Sequence, residues 1–145
     1  MNKAVYYKYM FMVAGIGYIF AAVIFGVLAP TVGSFMSFFG LDTNIDVWVW
    51  LYSYLLVITS LGFMYFLVGL DITRNHLIIS TGMIFKFCQF IIWLVVYILG
   101  HCNLPLLIVG IVDLVFVALF IEFFINYKKL DPTDIVLAYP IRKDR

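Results

Sequence analysis

The chain has 145 residues, of which 66% are hydrophobic and only 12% are charged, and its mean hydropathy is +1.11. Because a soluble domain draws about 25% of its residues from Asp, Glu, Lys and Arg, this composition excludes a globule covered by water. The net charge is +1 and no basic stripe is present, so no nucleic-acid partner is expected. We therefore expect an integral membrane protein with the lipid bilayer as its main partner.

Four apolar segments are long enough to cross a bilayer, whose hydrocarbon core of about 30 Å takes roughly 20 residues of helix. In chain order they cover residues of about 9–29, 47–70, 77–99 and 104–126. The first is longer than a signal-peptide core of roughly 7–15 residues, and no A-x-A site follows it, so we interpret it as a retained helix. We predict an all-α, integral membrane four-helix bundle over residues 1–129 and a cytoplasmic tail over 130–145.

The segments between the spans carry signals that end helices. Pro30 follows the first span, the polar turn 71–76 follows the second, Gly100 ends the third, and Pro105 suits the first turn of the fourth. The two short connections predict antiparallel neighbours. For the longer connection, residues 31–46, we expect a short amphipathic or irregular piece along the membrane interface. A lid over the bundle is the alternative.

Basic residues outside the spans predict the orientation, because Lys and Arg are enriched in cytoplasmic loops. They are Lys3, Lys8, Arg74, Lys128, Lys129, Arg142, Lys143 and Arg145. The connections 31–46 and 100–103 contain neither Lys nor Arg. Both termini and the 71–76 turn are therefore predicted on the cytoplasmic side.

Ionisable residues inside a membrane span are costly and are functional candidates by default. Lys86 lies near the middle of the third span and Asp113 near the middle of the fourth. At 1.5 Å per residue their depths differ by roughly 5 Å, which a Lys side chain can cross. We predict an intramembrane ion pair. It either fixes the helix register or is a proton- or ligand-responsive pair that lines a polar pocket.

The residues near Lys86 define a candidate polar pocket. Gln89 and Trp93 follow Lys86 at helical spacing on one side of the third span. Tyr65 shares a face of the second span with two glycines, and Glu122 lies farther along the fourth. We expect an inward polar face built from these side chains.

Glu122 is the outlying member of this set. It is about half a turn out of phase with Asp113 at 100° per residue. We expect it to reach the membrane interface or to meet Lys8 or Lys128 rather than to join the ion pair.

Small residues indicate where helices pack. In the first span they repeat as Gly17-x3-Ala21 and Ala22-x3-Gly26, and in the second Gly62 and Gly69 share a face. Such spacings allow close helix contact in membranes. We interpret them as packing positions rather than as ligand sites.

No motif assigns a catalytic or metal site. Asp71 and Arg74, in the predicted cytoplasmic turn, could bind a lipid phosphate, although a turn stabilised by its own charges is the commoner outcome. His76 and His101 fall at opposite membrane faces, so they do not share a haem or metal. HExxH, CxxC, GxSxG and P-loop patterns do not occur. We expect no cofactor, and the sequence favours a protein that is not an enzyme.

The stretch 62–75, followed by Gly82 and Lys86 and then by Gly110 and Asp113, resembles small four-helix bacterial membrane proteins of the DoxX-like kind. The similarity covers about spans two to four. It implies a bacterial cytoplasmic (inner) membrane location, and some proteins of this kind are linked to thiosulfate–quinone oxidation or to protein partners. No residue role is carried over from them.

The favoured functional hypothesis is an accessory or interaction subunit of a membrane assembly, acting with a protein partner or as a homo-oligomer. The apolar stretch 135–141 supports it, because apolar residues exposed to water are a liability. We expect this stretch to dock on the bundle or on a partner; a disordered or membrane-lying tail is the alternative. The rival hypothesis is a carrier or binder of a small apolar molecule (lipid or quinone) or of protons, centred on Lys86 and Asp113. A helper of a membrane oxidoreductase is a third.

Overall fold

The computed structural model describes residues 2–41, 45–73 and 75–130 and four tail positions, 133, 135, 138 and 139 (backbone only at 33 and 45–47). These residues form five helices, α1 (Lys3–Thr31), α2 (Gly33–Phe38), α3 (Ile45–Leu70), α4 (His76–Ile98) and α5 (Leu104–Tyr127). All of them except α2 are long and apolar enough to cross a membrane. The predicted helical class, with four helices long and apolar enough to cross a membrane, is thereby confirmed.

Helix α1 starts earlier than its hydropathy predicts. It begins at Lys3 rather than near Tyr9, because the Asn2 side chain accepts hydrogen bonds from the backbone N–H groups of Ala4 (2.9 Å) and Val5 (3.2 Å). An Asn before a helix satisfies N–H groups that have no partner within the helix itself. The helix therefore extends beyond the apolar core of the span.

Glycines with positive φ end two of the helices. Gly100 has φ 74°, and the N–H of His101 bonds back to the carbonyl of Val96 at 3.0 Å. Gly40, with φ 73°, follows α2. Glycine adopts this conformation without a steric penalty because it has no Cβ. Helix α4 therefore ends at the glycine turn that the sequence predicts.

The closest packing between the spans joins α1 to α3. A Cβ added to Gly15 would lie 2.6 Å from the carbonyl oxygen of Gly62, and one added to Gly62 would lie 2.8 Å from that of Gly15. Backbones in membranes approach this closely only where side chains are small. Gly62 therefore packs as expected. The packing role predicted for Gly17 is wrong, since no described atom lies within 4 Å of a Cβ placed there.

Helices α4 and α5 form the second closely packed pair, as their short connection predicts. The Trp93 indole packs on Gly110, where an added Cβ would lie 3.1 Å from it. Helices α3 and α4 are also joined by a short turn, but their backbones approach less closely. The Tyr65 side chain fills the space between them and covers Gly82.

Helix α2 and the residues after it cover the end of the bundle at which α1 ends and α5 begins. Met36 and Phe39 are 1% and 7% exposed, and Phe39 packs against Leu106. The N–H of Asn103 donates to the carbonyl of Phe39 at 2.9 Å, which ties this segment to the α4–α5 turn. The connection predicted as an interfacial piece or a lid thus contains a short helix that closes one end of the bundle.

The tail docks on the opposite end of the bundle at its described positions. Ala138 is 4% exposed within the main core cluster, and its carbonyl accepts a hydrogen bond from Lys8 Nζ at 3.0 Å. The Tyr139 hydroxyl donates to the carbonyl of Gly69 at 2.9 Å. These contacts join the tail to α1 and to the end of α3. Docking on the bundle is one of the two outcomes expected for the apolar stretch 135–141.

Candidate functional site

The ionisable residues at mid-depth of α4 and α5 form a salt bridge inside the bundle. Lys86 Nζ lies 2.9 Å from Asp113 Oδ1. Lys86 is 0% exposed and Asp113 is 8% exposed, so neither charge lies against lipid. An unpaired charge at this depth would be costly. The contact expected from the sequence is therefore present, and it shields both charges from the hydrocarbon.

Helix α1 contributes a third polar group, the hydroxyl of Tyr18. It accepts a hydrogen bond from Lys86 Nζ and donates one to Asp113 Oδ1. We call Lys86, Asp113 and Tyr18 the polar triad; it joins three helices at one carboxylate oxygen. Tyr18 is not among the residues predicted for the pocket. The signal in the sequence is its position in the middle of the span, because Tyr in membrane helices is enriched at the water interface instead.

Aromatic rings surround the ammonium of Lys86. Its Nζ lies 3.7 Å from the ring centroid of Tyr18, 4.8 Å from that of Phe116 and 5.6 Å from that of Tyr65. Ring faces attract a cation, most strongly where water is excluded. A Cβ at Gly82 would overlap the Tyr65 hydroxyl, so this arrangement requires glycine there.

A cavity of about 270 Å³ lies beside the polar triad and runs between α1, α3 and α5 toward α2. Ala14 and Phe116 line one end, one turn from Tyr18 and Asp113, and Phe25 and Leu106 line the other. Most of the wall between them is apolar. Sites for small molecules usually measure about 300–1,000 Å³ and combine apolar walls with a few polar groups. At about 270 Å³ the cavity lies just below this range, and its composition is that of a site for a small apolar molecule.

Asp113 and Tyr18 of the triad, rather than Lys86, line this cavity. Lys86 is fully buried behind them. A polar group on a bound molecule would therefore meet a hydrogen-bond acceptor whose charge Lys86 already balances.

No family model, curated protein or solved structure matches the chain. The resemblance to DoxX-like proteins stays a prediction. Because a fold by itself does not specify a function, the function has to be inferred from the chemistry of the polar triad and the cavity.

The other residues predicted for the polar pocket lie around the triad at different distances from the cavity. Trp93 lines the cavity edge-on to Tyr54, with ring centroids 6.0 Å apart. Gln89 is 8% exposed on the face of α4 that carries Lys86. Tyr65 lies beside the ammonium, outside the cavity wall. Among the described residues, the hydroxyl of Tyr65 and the indole N–H of Trp93 are buried without a hydrogen-bond partner.

Glu122 lies apart from the cavity, near the end of the bundle that the tail covers. It accepts a hydrogen bond from the Tyr7 hydroxyl at 3.2 Å. Lys8, one of the partners expected for Glu122, donates to the carbonyl of Ala138. The phase difference between Glu122 and Asp113 along α5 accounts for this separation.

Asp71 stabilises the turn between α3 and α4. Its Oδ1 accepts hydrogen bonds from the backbone N–H of Thr73 (3.0 Å) and from the Thr73 hydroxyl (2.6 Å). His76 then begins α4 and packs at a tilt of 58° against Tyr127, with ring centroids 3.9 Å apart. The predicted partner Arg74 lies outside the described residues.

Proposed function

We propose that this protein binds, and carries within the membrane, a small neutral molecule that is mostly apolar, of the lipid or quinone class. The observation that supports this function is the cavity, which is apolar over most of its wall and has Asp113 and Tyr18 near one end. The apolar part of the ligand would lie along the wall. A hydroxyl or another hydrogen-bond donor on the ligand would face the Asp113 carboxylate.

The charges of the triad favour a neutral ligand. Lys86 and Asp113 already balance each other at 2.9 Å, and Lys86 is fully buried. A charged ligand would bring an unbalanced charge into the low-dielectric interior, which is costly. A neutral polar group adds a hydrogen bond without that cost.

Tail docking weakens the support for an accessory subunit. That hypothesis draws on the apolar tail stretch as a surface for a protein partner. In the structure Ala138 is buried against the bundle and Tyr139 bonds to the carbonyl of Gly69. The bundle itself therefore covers the described part of the stretch, and the cavity supports ligand binding independently.

Trp93 allows a direct test of binding, because it lines the cavity and the chain has only two other tryptophans, Trp48 and Trp50. Both can be replaced by Phe to leave Trp93 as the sole indole. In lipid nanodiscs, we expect a decyl benzoquinone, which quenches indole fluorescence at close range, to quench Trp93 along a saturable curve. Quenching that rises linearly with quinone would contradict the proposed function.

Two Phe substitutions on α1 provide a matched comparison for this binding assay. Ala21→Phe fills the cavity, whereas Val23→Phe places the same ring on the lipid-facing side, where Val23 is 57% exposed. We expect Ala21→Phe to weaken binding by about tenfold, which corresponds to about 1.4 kcal/mol. Val23→Phe should leave the dissociation constant unchanged. Equal effects of the two variants would place the bound quinone outside the cavity.

We further propose that both termini face the cytoplasm of a bacterial inner membrane. The support for the orientation is the distribution of basic residues outside the spans, which fall before α1, between α3 and α4, and after α5. The support for the bacterial membrane is the resemblance described above. The acidic connection between α1 and α3 would then lie outside the cell.

Cysteine labelling tests this orientation. In a background in which Ala replaces Cys88 and Cys102, we expect an impermeant maleimide to label Ser37→Cys in intact cells and to leave Asn75→Cys unlabelled. The wild-type thiols have to be removed although burial raises the pKa of the Cys102 thiol and slows its reaction. Equal labelling of the two introduced cysteines would overturn the proposed orientation.

A further inference from the structure

One side of the cavity is open toward the lipid, between α1 and α5. Gly17 of α1 and Val109 and Val112 of α5 line the cavity and are also exposed, Val109 by 39% and Val112 by 50%. On the side formed by α3, the lining residues Leu55 and Ile58 are only 6% and 7% exposed. The cavity is thus closed along α3 and open along the α1–α5 edge, which we call the lateral gap.

Helix packing explains why the gap lies between these two helices. The close backbone contacts join α1 to α3 and α4 to α5, whereas α1 meets α5 through side chains. Near the tail the seam between α1 and α5 is filled by large rings. Phe11 and Phe120 have centroids 5.0 Å apart, and those of Tyr7 and Phe123 are 5.1 Å apart.

From the level of the triad toward α2 the same seam opens, because α1 carries small residues there. Gly17 and Ala21 share one face of α1, and no described atom outside α1 lies within 4 Å of a Cβ placed at Gly17. The gap extends from Gly17, beside Tyr18 of the triad, to Phe25 beneath α2. From Gly17 to Phe25 the helix rises about 12 Å, which is high enough for a substituted ring or an alkyl chain to pass.

We propose that the ligand passes between the cavity and the lipid through the lateral gap, so that it is taken from the bilayer and not from water on either side. Both ends of the cavity axis are closed. Phe39, after α2, packs over Leu106 at one end, and the triad with its aromatic neighbours fills the other. The passage rests on the proposed function, because it requires a ligand in the cavity.

A Gly17→Phe variant tests this passage by kinetics. The protein with Trp93 as its only indole, held in nanodiscs, is mixed with decyl benzoquinone and then diluted into empty vesicles while its fluorescence is followed. We expect Gly17→Phe to slow both association and dissociation by about tenfold, because each event then waits for a side chain to move. Gly17 also lines the cavity, so the direction of the change in the dissociation rate is the decisive result. A ring that only took up cavity volume would speed dissociation, whereas a ring that blocks the passage slows it.

Two further variants control for folding and position. Val13 lies one turn before Gly17 on the same face of α1, is 64% exposed and is not part of the cavity wall. The Val13→Phe substitution should therefore leave both rates unchanged. Val112→Phe narrows the gap from α5 and should slow both rates as Gly17→Phe does, which keeps the test decisive if Gly17→Phe fails to fold.

The outcomes separate this inference from the function on which it rests. Unchanged rates in both Gly17→Phe and Val112→Phe, with saturable binding, would overturn the lateral passage and leave the proposed function standing. Quenching that does not saturate in the unsubstituted protein would overturn the proposed function itself. If light scattering shows that Gly17→Phe converts a dimer to a monomer, a second copy of the chain covers the gap, and the passage from lipid is overturned.

Discussion

Replacing Lys86 by Met is expected to destabilise the protein by about 3–5 kcal/mol, because the change strands the Asp113 carboxylate inside the bundle. Asp113→Leu should have an effect of similar size, since it strands the fully buried ammonium. The double variant Lys86→Met/Asp113→Leu should lose less stability than either single variant, because no unpaired charge remains. This comparison tests whether the salt bridge acts as one unit.

The free energy of unfolding can be measured by titrating SDS into protein held in a mild detergent. Ile84→Met, on the lipid-facing side of α4 with Ile84 65% exposed, is the matched control and should change stability by no more than about 0.5 kcal/mol. A double variant whose loss equals the sum of the single losses would contradict coupling between Lys86 and Asp113. A double variant that is stable but no longer quenched by quinone would show that the pair also serves binding.

Gly15→Ala is expected to lower the free energy of unfolding by about 1–3 kcal/mol, the usual cost of overpacking. The new methyl group would lie 2.6 Å from the carbonyl oxygen of Gly62 and 2.7 Å from the backbone nitrogen of Phe66. Neither neighbour is a flexible side chain, so α1 and α3 would have to move apart. Gly62→Ala should have a similar effect from the other side of the crossing.

Gly17→Ala is the control for this prediction, because it makes the same change two residues along the same helix. No described atom lies within 4 Å of a Cβ at Gly17, and Ala favours a helix over Gly by about 1 kcal/mol. We expect this variant to be as stable as the unsubstituted protein or more stable. Equal destabilisation by Gly15→Ala and Gly17→Ala would contradict the glycine crossing.

The membrane-spanning helices could be predicted from the sequence because lipid imposes a simple rule on length and polarity. Turn chemistry predicts the end of α4 at Gly100, whose positive φ is a local property of glycine. Hydropathy predicts the start of α1 too late, because the Asn2 cap extends the helix past the apolar residues that hydropathy detects. Hydropathy, glycine turns and Asn caps are all local signals, so each can be detected within one segment of the chain.

The contact between Lys86 and Asp113 could also be predicted, since α4 and α5 form a hairpin and helical rise then sets the depth of each residue. The part played by Tyr18 could not, because it comes from a helix that is distant in the chain. Its approach to the pair depends on where α1 lies against α3, and the Gly15–Gly62 crossing sets that position.

Local composition and helical rise are therefore enough to predict the spans, most of their ends and the depth of each polar residue. The contacts of α1 with α3 and α5 could not be predicted, because they form between segments that no short connection joins. Large rings hold α1 and α5 together near the tail, at Phe11 and Phe120, whereas the small residues from Gly17 onward leave the seam open toward α2. The cavity exists because of that difference in side-chain size across two distant helices, and no single segment of the chain contains both sides of it.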